Sequence, residues 1–429
     1  MPRHFDKKSS IAATARKARA RNIKLAKVFS CIIVVAAAFA GGFAVRGNVD
    51  LLDSLGLTQL TGSPDAKAKV SQQPTTYNSL SARVDEVEGI VNNDSLDSYD
   101  LDTATTKMLD AFALSTQDPY LRYYDASRRT AMNSNQDAAS SGDGVGVLFN
   151  EYNGSAYAVD VFEGSDAQAA DVRSGDVVVA IDGDRSHAWS TSEVTAALKR
   201  DEGSQVVITW RRGASLDDAT GTEFTTTLTV TSSAVKNVTT ELSDSVGYIQ
   251  LRQISQNSAD LVRQAISDLD AQGAQAYVLD LRDNPGGYLT QAVDISSYFV
   301  KSGTIVRIVT TGADETTKNA TGSVLTDKPL VVLVNGNTSS AAEVIAASLQ
   351  DNQRATLVGA TTLGKGSVQV THDLSFGGAL RYTAAYYKSP LGHDIDGLGI
   401  HPDVAIALSS DEDNQKSFAL EMAQSMVRE

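Results

Sequence analysis

The sequence predicts an α/β protein with a β-rich module ahead of its α/β part, and three observations predict it. From about residue 237 to 404, apolar runs of strand length alternate with amphipathic stretches of helix length. From 140 to about 234, short β-branched runs alternate with glycine turns. Ahead of both, a steep charge step surrounds one long apolar run. With 429 residues, 42% of them hydrophobic, the chain can build two or three sizeable cores, which excludes a fibrous or wholly disordered protein.

Residues 1–27 form a basic arm. Nine Lys and Arg stand there against Asp6 alone, a net +8 in a chain of net −15, which leaves −23 for the remainder. The run 28–45 carries no charge and is long enough to predict a single transmembrane or signal-anchor helix. The positive-inside rule then keeps the arm cytoplasmic and puts the acidic body outside a cell membrane crossed once. The competing reading is secretion after signal cleavage, because Ala38, Phe39 and Ala40 resemble a small-x-small cleavage site. Cys31, the single cysteine, excludes an intrachain disulfide and a multi-cysteine metal site. An acidic body argues against nucleic acid as a partner.

Residues 46–76, with Gly56, Gly62, Pro64 and Pro74, read as a linker. Residues 77–139 turn helical: Leu80, Val84, Val87 and Val91 fall at helical spacing, then Met108, Leu109, Phe112 and Leu114, with a break at Asp118, Pro119 and Tyr120. This region reads as a packing or homodimerisation element.

In 140–235, Gly144, Val145, Gly146 and Val147 open a strand, 156–161 pairs as another, and 175–184 reads as strand and tight turn. A helix over 192–199 capped by Ser192 follows, then closing strands at 205–210 and 223–230. The Gly-Val-Gly-Val string, in register with Gly175-Asp176 and Ile181-Asp182-Gly183, resembles a PDZ domain. The resemblance implies β-augmentation: backbone N–H groups of Gly144 to Val147 receive a terminal carboxylate while the bound tail adds as a strand. A β module that only packs on its neighbour is the plainer alternative.

In 236–406, strands at 246–251, 276–281 and 330–334 alternate with helices at 258–271, 290–299 and 341–349. Gly377 and Gly378 separate a hairpin of 368–374 and 380–387, and 407–429 reads as a helical tail. Ser340 sits where the buried strand turns sharply into the helix, so its hydroxyl lies at a positive dipole end amid backbone N–H groups, which acyl transfer needs. Lys365, between Gly364 and Gly366, can serve as its base. Gly286 and Gly287, after Asn284 and Pro285, let backbone approach a ligand and point N–H groups at it. Taken alone, that turn is an ordinary strand-to-helix connection.

The order of these three patterns behind the PDZ-like module resembles the carboxyl-terminal processing peptidases, the tail-specific protease family with a Ser-Lys mechanism. Asp118-Pro119-Tyr120 early and the segment Gly397 to Val404 late belong to the same resemblance, which covers about residues 77–404. It implies a crotonase/ClpP-like βα core and a serine endopeptidase that cuts proteins near their C-termini. Ser340 is its nucleophile, three before Glu343 and 25 before Lys365; Lys365 is the general base, and Gln369 holds the amine. The N–H groups of Ala341 and of Gly286 or Gly287 form the oxyanion hole. Asp283 departs from the pattern, standing where a small residue is common, and Ser339 is the minor candidate nucleophile.

The chemistry of a lysine base constrains its surroundings. Its pKa must fall from ~10.4 to ~7, about 4.6 kcal/mol, which burial can supply and an adjacent carboxylate opposes. A phosphate loop over Gly359 to Gly366 fails, because Gly366 occupies the Ser/Thr position and a strand follows. Two rivals remain: a catalytically silent tail-binding adaptor, and a Ser-His hydrolase of small esters using His372. No cofactor and no metal is expected. Expected partners are protein or peptide substrates with free C-termini, the membrane through the N-terminal helix, a second copy and an activator protein.

Overall fold

A computed structural model describes residues 79–133, 144–231, 236–409 and 413–427. It divides into two units, Met1–Ser95 and Leu96–Glu429. In the first, the helix Leu80–Asp94 starts where the Ser79 hydroxyl accepts the Ala82 N–H at 3.2 Å.

The expected fold class is corrected on two counts. No helix of the described residues is long and apolar enough to cross a membrane; the longest, Leu80–Asp94, has 15 residues where a span needs about 20. The transmembrane helix expected over 28–45 lies outside the described residues, and among the described residues no element carries the single-pass membrane placement built on it. On the second count, the central sheet is mixed and is accompanied by an all-antiparallel sheet, rather than forming a simple βα repeat.

The central sheet has six strands in the order Val404–Ala405, Thr356–Gly359, Leu330–Val334, Ala276–Asp280, Val246–Leu251, Val238–Ser243. All neighbours are parallel except the last pair. Every residue of Leu330–Val334 and Ala276–Asp280 is buried, because alternate side chains enter two different cores. Leu330, Val332, Tyr277 and Leu279 pack with helices Ser258–Ala271, Leu289–Ser297 and Ala341–Asp351. Val331, Leu333, Ala276 and Val278 pack with Ala419 and Ala423 of the C-terminal helix Asn414–Val427.

A second sheet is antiparallel throughout and holds Arg122–Tyr124, Ala379–Lys388, Thr304–Thr310, Thr316–Asn319 and Ser367–Asp373. Its three-residue strand Arg122–Tyr124 pairs with 379–381, so the segment behind helix Leu101–Leu114 is stitched into the α/β part.

The β module is a five-stranded antiparallel sheet, Val147–Tyr152, Ser155–Val161, Val177–Ile181, Gln205–Arg212 and Thr222–Thr229 in chain order. Trp210, fully buried, stacks on Phe149 with ring centres 6.0 Å apart. The helix Thr191–Leu198 is capped by Ser190 rather than Ser192. Glu193 makes the difference: its carboxylate reaches back to the Ser190 N–H and completes a capping box.

Candidate active site

The central strand Leu330–Val334 delivers the chain to a tight turn, and helix Ala341–Asp351 begins immediately after Ser340. Ser340 has φ 55° and ψ −120°, a conformation a serine adopts only when its surroundings force it. What forces it is visible on both sides. Ahead, the Ser339 N–H donates to the Asn284 carbonyl at 2.9 Å; behind, the Ser340 N–H donates to Glu343 Oε2 at 2.8 Å. Ser339 is fully buried and its hydroxyl has no partner, whereas Ser340 reaches solvent in part.

The Asn284 to Gly287 turn lies directly against this serine. A Cβ on Gly286, at φ +87°, would stand 2.6 Å from the Ser339 carbonyl oxygen and 2.9 Å from Ser340 Cβ. A Cβ on Gly287, at φ +143°, would stand 2.0 Å from the Ile254 carbonyl oxygen. The two glycines differ in what their N–H groups do. Gly286 donates to Asn284 Oδ1 at 2.8 Å. The N–H groups of Gly287 and Ala341 have no partner among the described residues, which leaves two backbone donors on the two turns that meet at Ser340.

Asp283, the departure noted in the sequence, joins those turns. Its N–H donates to Asn335 Oδ1 at 3.0 Å, and its Oδ1 accepts from Asn335 Nδ2 at 2.9 Å and Asn337 Nδ2 at 2.8 Å. Asn337 Nδ2 also reaches Ser174 Oγ in the β module at 3.0 Å. An aspartate tolerates the φ of +57° found at this position better than most side chains do.

Glu343 is a fully buried hub. It accepts from the Ser340 N–H, from Thr362 Oγ1 at 2.5 Å, from the Gly364 N–H at 2.7 Å and from the Lys365 N–H at 2.8 Å. Burial raises its pKa against the pull of those four donors. One carboxylate thus fixes the serine turn to the lysine loop. A lone acid in the apolar helix 341–349 is the sequence signal for such a role, because a charge buried there needs partners.

The lysine loop is held by close backbone packing: Gly397 donates to the Gly364 carbonyl at 2.8 Å, and a Cβ on Gly366 would lie 2.4 Å from the Asp396 nitrogen. Burial holds the Lys365 pKa below the ordinary lysine value, with Glu151 as the largest opposing influence. Its amine lies 5.4 Å from the centre of the Tyr120 ring, and no hydrogen bond joins it to Ser340 Oγ or to Gln369 among the described residues. Gln369 instead donates to Ser367 Oγ at 3.0 Å. Glu151 and Arg381, a buried ion pair between the β module and the second sheet, were not visible in the sequence. Burial opposes the Glu151 charge, but Arg381 and then Lys365 outweigh it and hold that carboxyl below its ordinary range.

His372 stands exposed on strand Ser367–Asp373, paired across the hairpin with Leu380, and makes no hydrogen bond to Ser340. In the β module, Gly144 exchanges two backbone hydrogen bonds with Thr231 (3.1 and 2.7 Å), and the Gly146 carbonyl accepts from Phe162 at 2.9 Å. The N–H groups of Val145 and Gly146 have no partner among the described residues. The loop runs into Val147–Tyr152, the edge strand of its sheet, and a Cβ on Gly144 would touch Leu198 of the neighbouring helix at 3.9 Å.

Residues 245–406 match peptidase family S41 and residues 158–212 match the PDZ domain family. A protein named carboxyl-terminal-processing protease from Synechocystis sp. is 38% identical over 274 residues, which span 62% of this chain and 62% of that relative. One of the same name from Picosynechococcus sp. is 35% identical over 323 residues, 71% of this chain and 75% of the relative. Among solved structures, the photosystem II D1 C-terminal processing protease superposes with a TM-score of 0.62 at 27% identity, covering 76% of this chain and 88% of that one.

Proposed function

From the premise that the chain belongs to the S41 family of carboxyl-terminal-processing proteases, we propose that it is a serine endopeptidase cutting protein substrates near their C-termini, with Ser340 as nucleophile and Lys365 as general base. The observation that carries the proposal is the strained Ser340, set between two unpartnered backbone donors, Gly287 and Ala341. Ser340 Oγ attacks the scissile carbonyl carbon while the neutral Lys365 amine takes its proton. The developing oxyanion accepts from the Gly287 and Ala341 N–H groups, and the resulting lysine ammonium protonates the leaving amine. Water then attacks the acyl-serine with Lys365 again as base.

Gln369 is the neutral partner proposed to hold the amine once it turns toward Ser340. The N–H groups of Val145 and Gly146, at the start of an edge strand, are proposed to receive the substrate's terminal carboxylate. Such capture gates hydrolysis by delivering the tail to Ser340. The absence of a hydrogen bond between Lys365 Nζ and Ser340 Oγ among the described residues, with the amine set on the Tyr120 ring, is the observation that favours the rival, a tail-binding adaptor without hydrolysis.

One experiment separates the two. Cleavage of a protein with an apolar C-terminal tail is followed for the wild type, Ser340→Ala and Lys365→Ala, with an amidated tail as a fourth arm. The proposal expects both variants to lose at least about a thousandfold in kcat/KM and amidation to raise KM. Full cleavage by either variant removes the mechanism, and tail binding with no hydrolysis by wild type establishes the adaptor.

A further inference from the structure

The Lys365 amine rests on an aromatic ring supplied by a segment far from both catalytic motifs. Tyr120 is almost fully buried, and three fixed contacts hold its turn. Its N–H donates to Asp118 Oδ1 at 3.0 Å, its carbonyl accepts from Arg381 Nε at 3.3 Å, and Asp118 Oδ2 accepts the Thr383 N–H at 2.7 Å. The ring centre is 5.4 Å from Lys365 Nζ, within the range of a cation–π contact. We propose that Tyr120 is a positioning residue for the catalytic base: its ring provides the resting place of the protonated Lys365 amine, and the base becomes competent only when the amine leaves that ring for Ser340.

The charges around the amine fit this role. Glu151, on the β module's edge strand, attracts it; Arg381, on the second sheet, repels it; Glu343, on the helix behind Ser340, attracts it. Arg381 is already paired with Glu151, so the Tyr120 face adds attraction where part of the carboxylate's charge is spent. A face of this kind favours the ammonium over the free amine. The contact therefore opposes the deprotonation that the base requires, and weakening it must speed attack by Ser340.

This inference rests on the Ser340 and Lys365 roles proposed above, and its test separates the two. The full chain is prepared with Phe, 4-fluoro-Phe and 3,4,5-trifluoro-Phe at position 120. The ring keeps its shape through this series while its negative face weakens, so folding is preserved. The readout is the rate of covalent labelling of Ser340 by a fluorophosphonate as a function of pH, which needs no knowledge of the natural substrate. The expected result is a Phe variant within about twofold of wild type and a stepwise rise to about tenfold for the trifluoro variant at pH 7. The acidic limb of the labelling profile shifts to lower pH in the same order. A rate that stays flat or falls across the series overturns the role of Tyr120. Lys365→Ala is the control: if it labels as fast as wild type, the Ser-Lys reading itself is wrong, whatever the series shows.

Discussion

The serine half and the lysine half of the site are held in different ways. Ser340 is fixed by its own backbone: its N–H is taken by Glu343, the residue before it bonds Asn284, and Gly286 leaves no room for even a methyl group beside it. The backbone of the lysine loop is pinned as firmly, through Glu343 and Gly397, but its side chain is not. The amine lies against Tyr120 in reach of charges from three elements, which act on it through space. Hydrogen-bonded backbone has one good geometry, while a four-carbon stem with a charged tip has several. On the roles proposed for Ser340 and Lys365, the difference teaches that the nucleophile and its donors are preorganised and that the base is the part free to change state.

The sharpest way to break this contrast is to disturb the rigid half. Gly286→Ala puts a methyl group 2.6 Å from the Ser339 carbonyl and 2.9 Å from Ser340 Cβ, at a φ where alanine is itself strained by about 1–2 kcal/mol. Displacing the nucleophile from its donors lowers kcat by on the order of a hundredfold or more. Burst kinetics should show slowed acylation with substrate binding little changed. Retention of wild-type kcat would mean the serine turn is not preorganised.

Asp283→Gly tests the seam between the two turns more gently. Glycine accepts the φ of +57° but removes the carboxylate that accepts from Asn335 and Asn337. Loss of about 1–2 kcal/mol of hydrogen bonding predicts a kcat lower by roughly tenfold, with KM nearly constant. Asp283→Asn, which keeps one acceptor oxygen, should recover much of it.

The lysine half answers to pH. Burial lowers the folded pKa of Lys365 below its unfolded value, so the unfolded chain binds more protons between the two and stability rises with pH across that window. Below the ordinary lysine value the amine is a cost to the fold, because burial disfavours its charged form. Lys365→Met should therefore raise the Tm at pH 7 while abolishing activity, and the gain should shrink as pH climbs toward the ordinary lysine value of ~10.4. A Tm gain independent of pH would mean that the amine holds the same proton in the folded and the unfolded chain across that range, so that burial does not shift it.

These two halves were not equally legible in the sequence. The strand-to-helix turn at Ser340, the Asn284 to Gly287 turn and the Gly364 to Gly366 loop are local patterns, and periodicity placed them on the right kinds of element. Helix Ser258–Ala271 was read to its observed ends because its apolar face is regular. The strands Thr304–Thr310 and Thr316–Asn319 went unread, the first because it pairs with Ala379–Lys388 far along the chain, the second because it is exposed throughout. The Glu151–Arg381 pair, 230 residues apart, and the contact of Tyr120 with Lys365 have no local signature at all. The two glycines are equivalent in the sequence pattern, and the proposal favours Gly287 because the Gly286 N–H is taken by Asn284 Oδ1.

The smallest expected effect tests whether any other base competes with Lys365. His372 is exposed at the far part of a hairpin whose near end carries the lysine loop, and its strand neighbour Asp373 is engaged by Arg129. A swing of that strand toward Ser340 would break its seven-residue pairing with Ala379–Lys388. Each such backbone bond contributes about 0.5–1.5 kcal/mol net, so the movement costs more than a single imidazole contact returns. His372→Ala should then leave kcat/KM within about twofold of wild type, as surface substitutions generally do. The pH profile should keep its acidic limb unchanged. A profile that loses a midpoint near the imidazole value of ~6.5 in this variant would transfer the base from the buried lysine to the hairpin, and the division between a rigid nucleophile and a movable base would fall with it.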